Sequence, residues 1–238
     1  MLVGVTELAT GAPPREVDIR VARDVAVERT HLDETSWVDV ARGWLTGADA
    51  LFEALGDGVS WNQNRLFRYD HWVPERRLGS FWRPGTPLPH PALADIHRTL
   101  QRRYRVRFGG FGLIQYRDGT DGQTFHRDTD MRWLDDTVVA IVTLGARRPW
   151  LLRPRSSRHD LSGPARGGAT HDLAPASGDL IVMGGRCQAD WEHSVPYLGR
   201  SPVGTRISLQ WRHASPTGRP FMGASYGAPR TYKRPTSG

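Results

Sequence analysis

In the run Gln123-Thr124-Phe125-His126-Arg127-Asp128 an imidazole and a carboxylate stand two positions apart. On an extended chain, positions i and i+2 project to the same side, so the two groups converge on one point. A third ligand has to come from elsewhere in the fold. His193, in Asp190-Trp191-Glu192-His193-Ser194-Val195-Pro196, is the best candidate, since it follows the apolar run Leu180 to Met183 and a Gly-Gly turn. Two imidazoles and one carboxylate on one face of an octahedron leave three positions open, the arrangement of non-haem Fe(II) oxygenases. The H-x-D pair alone is a weak signal. His31-Leu32-Asp33 is a second instance, where Asp33 reads better as a turn or cap residue. An ion pair or turn contact between His126 and Asp128 stays open as the plainer reading. A kinase catalytic loop is excluded, because Trp133 stands where that loop needs Asn and no Gly-rich phosphate loop exists.

The segment after His193 adds weight to the metal. In Arg206-Ile207-Ser208-Leu209-Gln210-Trp211-Arg212, Ile207, Leu209 and Trp211 share one face of an extended strand. Arg206, Ser208, Gln210 and Arg212 share the other. The two arginines lie roughly 20 Å apart at Cα on a straight strand. Their guanidinium forks suit carboxylates, so long side chains leaning inward could bracket a small dicarboxylate. The alternative is a solvated outer face.

These groups need a scaffold, and 238 residues with 38% hydrophobic content suffice for one domain with a substantial core. Cys187 is the only cysteine, so an internal disulfide, a thiolate zinc cage and an iron–sulfur site are excluded and any metal must use His and carboxylate. Helical spacing of Ala48, Leu51, Phe52 and Leu55 predicts a first helix, with Thr46 to cap it and Gly56 to end it. A second follows Pro91, with Leu93, Ile96, Leu100 and Tyr104 on one face. From Gly109 onward β-rich runs alternate with Gly, Pro and Asp: Phe111 to Tyr116, Thr137 to Leu144, Trp150 to Leu152, Leu180 to Met183, Arg206 to Trp211. Strands at such intervals without helices between them suggest a sandwich or jelly-roll barrel, so the class is mainly β with flanking helices. Residues 1–30 read as an arm or edge structure broken at Pro13-Pro14, 31–213 as the domain, and 214–238 as an irregular basic tail with Arg219, Arg230, Lys233 and Arg234.

The formal charge is +7, which permits a polyanionic partner, although Lys233 is the only lysine and the arginine excess can reflect base composition. No apolar run approaches the roughly 20 residues of a membrane span. The first sixteen residues lack the basic start and apolar core of a secretory signal, so a cytoplasmic monomer is expected.

From about Leu66 to Arg212 the chain resembles the AlkB-type Fe(II)/2-oxoglutarate dioxygenases, which implies a double-stranded β-helix (jelly-roll) core. Leu113-Ile114-Gln115-Tyr116-Arg117-Asp118-Gly119 is similar to the strand and turn before the family's iron motif, His126-Arg127-Asp128 to the motif itself. Gly178-Asp179-Leu180-Ile181-Val182-Met183-Gly184-Gly185 resembles the strand before the distal histidine, here His193, and Arg206 and Arg212 fit the R-x-x-x-x-x-R signature. Ile114 departs from the Asn of many members and Met183 from the Trp of some. The resemblance implies Fe(II) on His126, Asp128 and His193, with 2-oxoglutarate and O2 as cosubstrates. Tyr116 and Arg206 would contact the 2-oxoglutarate, and Arg212 would support the site. Val73-Pro74-Glu75-Arg76-Arg77-Leu78-Gly79-Ser80-Phe81-Trp82 is similar to the family's nucleotide lid, which points to Arg77, Phe81 and Trp82 as substrate residues, with core packing open for the two aromatics. Asp130 matches an acid that influences base choice.

The implied reaction is oxidative demethylation of 1-methyladenine and 3-methylcytosine in DNA, with RNA as a second substrate, releasing formaldehyde, succinate and CO2. Arg98, Arg102, Arg103, Arg105 and Arg107 add a basic surface in support. Two alternatives stand beside it: a small-molecule or lipid hydroxylase on the same scaffold, and a nucleic-acid-binding module without chemistry. The complete ligand and arginine set argues against the latter.

Overall fold

A computed structural model describes residues 17–155 and 169–230. The Pro13-Pro14 break, the segment read for a leader, and Lys233 and Arg234 of the tail lie outside them. Short strands come first: β1 (Arg20–Val21), β2 (Glu28–His31), β3 (Ser36–Ala41) and β4 (Leu45–Thr46) lead into α1 (Ala48–Gly58). Then β5 (Arg65–Arg68), β6 (His71–Pro74) and β7 (Leu78–Trp82) precede α2 (Ala92–Tyr104). Next come β8 (Phe111–Tyr116), β9 (Gln123–His126), β10 (Thr137–Gly145), β11 (Leu151–Pro154) and β12 (His171–Asp172). The chain continues with β13 (Leu180–Gly185), the one-turn helix α3 (Cys187–Asp190), β14 (Trp191–Val195) and β15 (Arg206–Ala214).

Antiparallel pairing builds a seven-stranded sheet in the order β2-β3-β13-β10-β15-β8-β7 and a four-stranded sheet in the order β12-β11-β14-β9. Period-two alternation lets each strand of the large sheet serve two cores. Val138, Ala140 and Val142 of β10 meet Leu209 and Trp211 of β15 and the helical residues Leu51, Leu55, Leu93, Ile96 and Leu100 on one face. Val139 and Ile141 meet Ile181, Met183, Trp150, Leu152 and Trp191 on the other, between the two sheets. Each fully buried Leu or Ile contributes about 1.5–3 kcal/mol, so the helices hold the large sheet from behind while the small sheet covers its front. The metal candidates lie at the front.

Several elements differ from the sequence expectation. Thr46 does not cap α1; Gly47 takes the cap position with φ 69°, where a Cβ would press on Asp18 O at 2.9 Å, and the helix runs past Gly56 to Gly58. Gly184 and Gly185 end β13 instead of making a separate turn, and a Cβ at Gly184 would sit 1.9 Å from the Trp37 ring. Asp33, by contrast, is the turn residue expected, accepting from the Thr35 and Ser36 amides. The segment after Ala214 is irregular but docked. Ser215 donates to Asp136, Phe221 N to Arg132 O, and Arg68 to the carbonyls of Tyr226 and Ala228.

Candidate metal centre

β9 and β14 pair with His126 directly opposite His193, so both imidazoles leave the small sheet on the same side. Asp128 follows two residues after His126, where the chain leaves β9 for a short turn at Thr129–Met131. The ligand atoms of His126, Asp128 and His193 all lie within 4.8 Å of one another. His126 Nε2 is 4.0 Å from Asp128 Oδ1, and the two imidazole centroids are 4.2 Å apart.

Each ligand is held from behind. His126 Nδ1 lies 3.0 Å from Thr124 O, so its N–H is spent on the backbone and Nε2 is left with its lone pair toward the cluster. His193 stacks on Trp150, centroids 5.4 Å apart and planes 13° apart. Arg212 donates through Nε to Asp128 Oδ2 at 2.8 Å and is itself fixed by Gln210 Oε1 at 2.6 Å. Gln188 of α3 accepts the Asp128 amide at 2.8 Å, anchoring the backbone.

The electrostatics suit a cation. Burial, then the neighbouring His193, pushes His126 down to about 3. Burial also pushes His193 down to about 4, so both imidazoles are neutral at physiological pH. Burial opposes ionisation of Asp128, but Arg212 and the two imidazoles outweigh it and hold the carboxyl well below its usual range. Two neutral imidazoles and a carboxylate form a deprotonated donor set with no thiolate, the set that suits Fe(II).

A small cavity opens from the cluster, lined by Tyr116, Ile141, Trp150, Ser208 and Gln210. These come from the row Arg206, Ser208, Gln210, Arg212 and the strands around it, since Arg206 pairs with Tyr116 and Ile141 with Gln210. The row faces the sheet interior and not solvent. At its far end Arg206 is fully buried, with one bond to Thr143 Oγ1 at 3.1 Å, while its Nε and Nη1 find no partner. Burial drops its guanidinium to about 10. A buried cation with two idle donors lacks an anion, and a dicarboxylate reaching from the cluster supplies one. The residues present therefore fit both Fe(II) and 2-oxoglutarate.

The substrate candidates scatter. Arg77 reaches the cluster, paired with Glu75 at 3.0 Å, bonded to Gln123, and 5.6 Å from the Tyr226 ring centroid. Phe81 is 64% exposed on the edge strand β7 and covers Gly112. Trp82 faces away: it stacks on Phe111 at 5.4 Å, on the helix side of the large sheet, where it packs against the core. Asp130 is exposed in a hollow beside Phe221 and Ser225. The arginines of α2 also belong to the helix side, and Arg98 is paired with Asp95. Sequence reasoning missed Trp150, Gln188, Gln123 and Tyr226. The Tyr226 ring comes within 6.0 Å of His126 from the segment read as a loose tail. Trp150 alone had a signal, as the aromatic opening a β-rich run.

A family model described as the 2OG-Fe(II) oxygenase superfamily matches residues 83–212. "Alpha-ketoglutarate-dependent dioxygenase alkB homolog 3" of Mus musculus is 30% identical over 202 residues, 78% of this chain and 66% of that protein. "DNA oxidative demethylase ALKBH2" of Homo sapiens is 31% identical over 181 residues, 69% of this chain and 68% of that protein. The chain spans 62% to 66% of the length of the three alkB homolog 3 proteins from mouse, cattle and rat. Among solved structures, a Pseudomonas putida prolyl-4-hydroxylase matches with TM-score 0.51 at 16% identity over 75% of this chain and 92% of that one. That likeness speaks for the jelly-roll fold alone.

Proposed function

The chain belongs to the 2OG-Fe(II) oxygenase superfamily, and from that premise we propose that it oxidatively demethylates N-alkylated bases, 1-methyladenine and 3-methylcytosine, in DNA and also in RNA. The observation that carries the reading is the convergence of His126, Asp128 and His193 beside a buried guanidinium, Arg206, with idle donors. The names of the relatives, a DNA oxidative demethylase among them, favour a nucleobase over a small molecule or lipid.

His126, Asp128 and His193 would hold the metal. Fe(II) bound there with 2-oxoglutarate and O2 would supply the oxidation of a methyl carbon to the level of formaldehyde, with 2-oxoglutarate going to succinate and CO2. Arg206 takes the distal carboxylate of the cosubstrate, and Tyr116, paired across from it, shapes the same end of the cavity. Arg212 keeps Asp128 ionised and turned toward the cluster. Trp150 and Ile141 supply apolar parts of a lining that is mostly polar, and burial away from bulk water strengthens each charged contact there. Arg77, tied to Glu75 and Gln123, places its charge near His126 and His193, where it would meet an incoming base.

The test is a short oligonucleotide carrying 1-methyladenine, incubated with Fe(II), 2-oxoglutarate and O2 and analysed by mass. Loss of one methyl with formaldehyde release, abolished in Asp128→Ala, is expected. Steady 2-oxoglutarate turnover with the oligonucleotide unchanged would sink the nucleobase reading and favour a small-molecule hydroxylase. Iron-dependent turnover retained by Asp128→Ala would sink the ligand assignment.

A further inference from the structure

Four guanidinium groups, from Arg127, Arg155, Arg186 and Arg219, line one open groove together with Leu134 and Phe221. Its two carboxylates, Asp135 and Asp190, are both taken by Arg186. Arg127 donates to the carbonyls of Gln188 and Ala189 and lies over the Phe221 ring, 5.4 Å from the centroid. Among the described residues no carboxylate lies within ion-pair reach of Arg155 or Arg219, and both side chains are exposed. Burial, and then the charge of Arg155, holds the Arg127 guanidinium below its usual value, which places like charges close together.

The groove and a hollow beside it flank the turn that follows Asp128. The part of the groove wall formed by Phe221, Met222 and Gly223 also bounds the adjoining hollow of Thr129, Arg132 and Ser225, with Asp130 as its one acid. The same segment then carries Tyr226 to the side of His126. Excess guanidinium charge interleaved with an aromatic face suits a chain of phosphates bearing flat rings better than a compact anion, because each base offers a π-face and each phosphate a charge. A single strand also meets the need of a buried site, since its bases can be turned out at little cost.

We propose that this groove holds the phosphodiester backbone of a single-stranded nucleic acid, with Arg155 and Arg219 on phosphates and Phe221 as a platform for a base flanking the one at the metal. The proposal deepens the nucleobase reading and rests on it for the identity of the strand, but its measurement needs neither metal nor turnover.

The experiment is fluorescence anisotropy of an unmodified ten-nucleotide single strand with metal-free protein across a salt series. Each phosphate contact on a single strand contributes about 0.7 to the slope of log K against log salt. The double variant Arg155→Gln/Arg219→Gln is expected to flatten that slope by about 1.4 and to weaken a 1-methyladenine strand and its unmodified twin by the same factor. The variant Arg102→Gln/Arg107→Gln, which removes equal charge on the far side of the large sheet, is expected to leave the slope within about 0.3 of wild type, well short of the 0.7 that one contact carries. An unchanged slope in the groove variant, or an equal drop in the far-side variant, overturns the proposal. So does wild-type protein that binds no single strand at low salt. Formaldehyde release from the methylated strand separates the two readings: release with an unaffected slope removes the groove and keeps the demethylase, and the reverse pattern keeps the groove alone.

Discussion

Replacing Arg206 with methionine tests the cosubstrate site by two effects of opposite sign. Methionine fills much of the same length without the charge. In the ligand-free protein the guanidinium is fully buried, bonded once to Thr143, with Nε and Nη1 idle. Removing an uncompensated buried charge is neutral or stabilising, so Arg206→Met is expected to unfold at the same temperature as wild type or a higher one. With 2-oxoglutarate present the order reverses. Two charge-assisted hydrogen bonds at about 1.5–3 kcal/mol each amount to roughly 3–6 kcal/mol of binding, which raises Kd by about 10² to 10⁴. Wild type at a hundred times its Kd gains about 2.7 kcal/mol of stability, and the variant at that concentration gains almost none. The assay is thermal unfolding of Mn(II)-loaded protein over a 2-oxoglutarate titration. An undiminished ligand shift in the variant would refute the assignment. A large loss of stability without ligand would refute the idea that the guanidinium lacks an anionic partner in the ligand-free protein.

Arg212→Ala removes the 2.8 Å bond that turns Asp128 toward the cluster; Mn(II) affinity by calorimetry is expected to fall about 10- to 100-fold, and an unchanged affinity would separate Arg212 from the metal. In the metal-free protein His126 and His193 stay neutral down to about 3 and about 4, whereas in the unfolded chain they take protons near 6.5. Their folded values are depressed, so stability is intact above 6.5 and is lost as pH falls, by roughly 2 kcal/mol per imidazole at pH 5; urea midpoints at pH 7.5 and 5 that shift no more in wild type than in His193→Gln would contradict this. Gly184→Ala drives a methyl into the Trp37 ring, and a loss of about 1–3 kcal/mol in urea unfolding is expected, with a wild-type midpoint counting against the packing described. Tyr226→Ala uncovers one side of His126; a chelator should strip bound Mn(II) several-fold faster, and an unaltered rate would mean that the ring does not cover the ligand.

The sequence was most legible where one residue pattern answers to one environment. The alternation from Arg206 to Arg212 matched β15 because its two faces differ sharply, one dry and one polar. The strand Ser36–Ala41 escaped notice because Asp39 sits inside it, buried and held by Arg29 at 2.7 Å, so the apolar pattern is broken by a charge that only its partner explains. The three ligands could be named, but the register that sets His193 opposite His126 is a pairing across more than sixty residues that local spacing does not encode. Core packing of Phe81 or Trp82 stayed open for a related reason: the two alternate on β7, and neighbouring strands decide which of them faces the helices. Tyr226 lies in a Gly-, Pro- and Ser-rich stretch that reads as loop, and its anchor, Arg68, is 158 residues away. Contacts of that range leave no periodic trace.

The two faces of β15 divide labour within a single strand. Trp211, Leu209 and Ile207 answer to the helices behind, while Arg212, Gln210, Ser208 and Arg206 answer to whatever occupies the cavity. Arg206 and Ser208 can therefore drift toward another small acid while the odd-numbered positions, and Arg212 with its brace Gln210, stay frozen. A scaffold arranged in this way can change its chemistry letter by letter without first having to be taken apart.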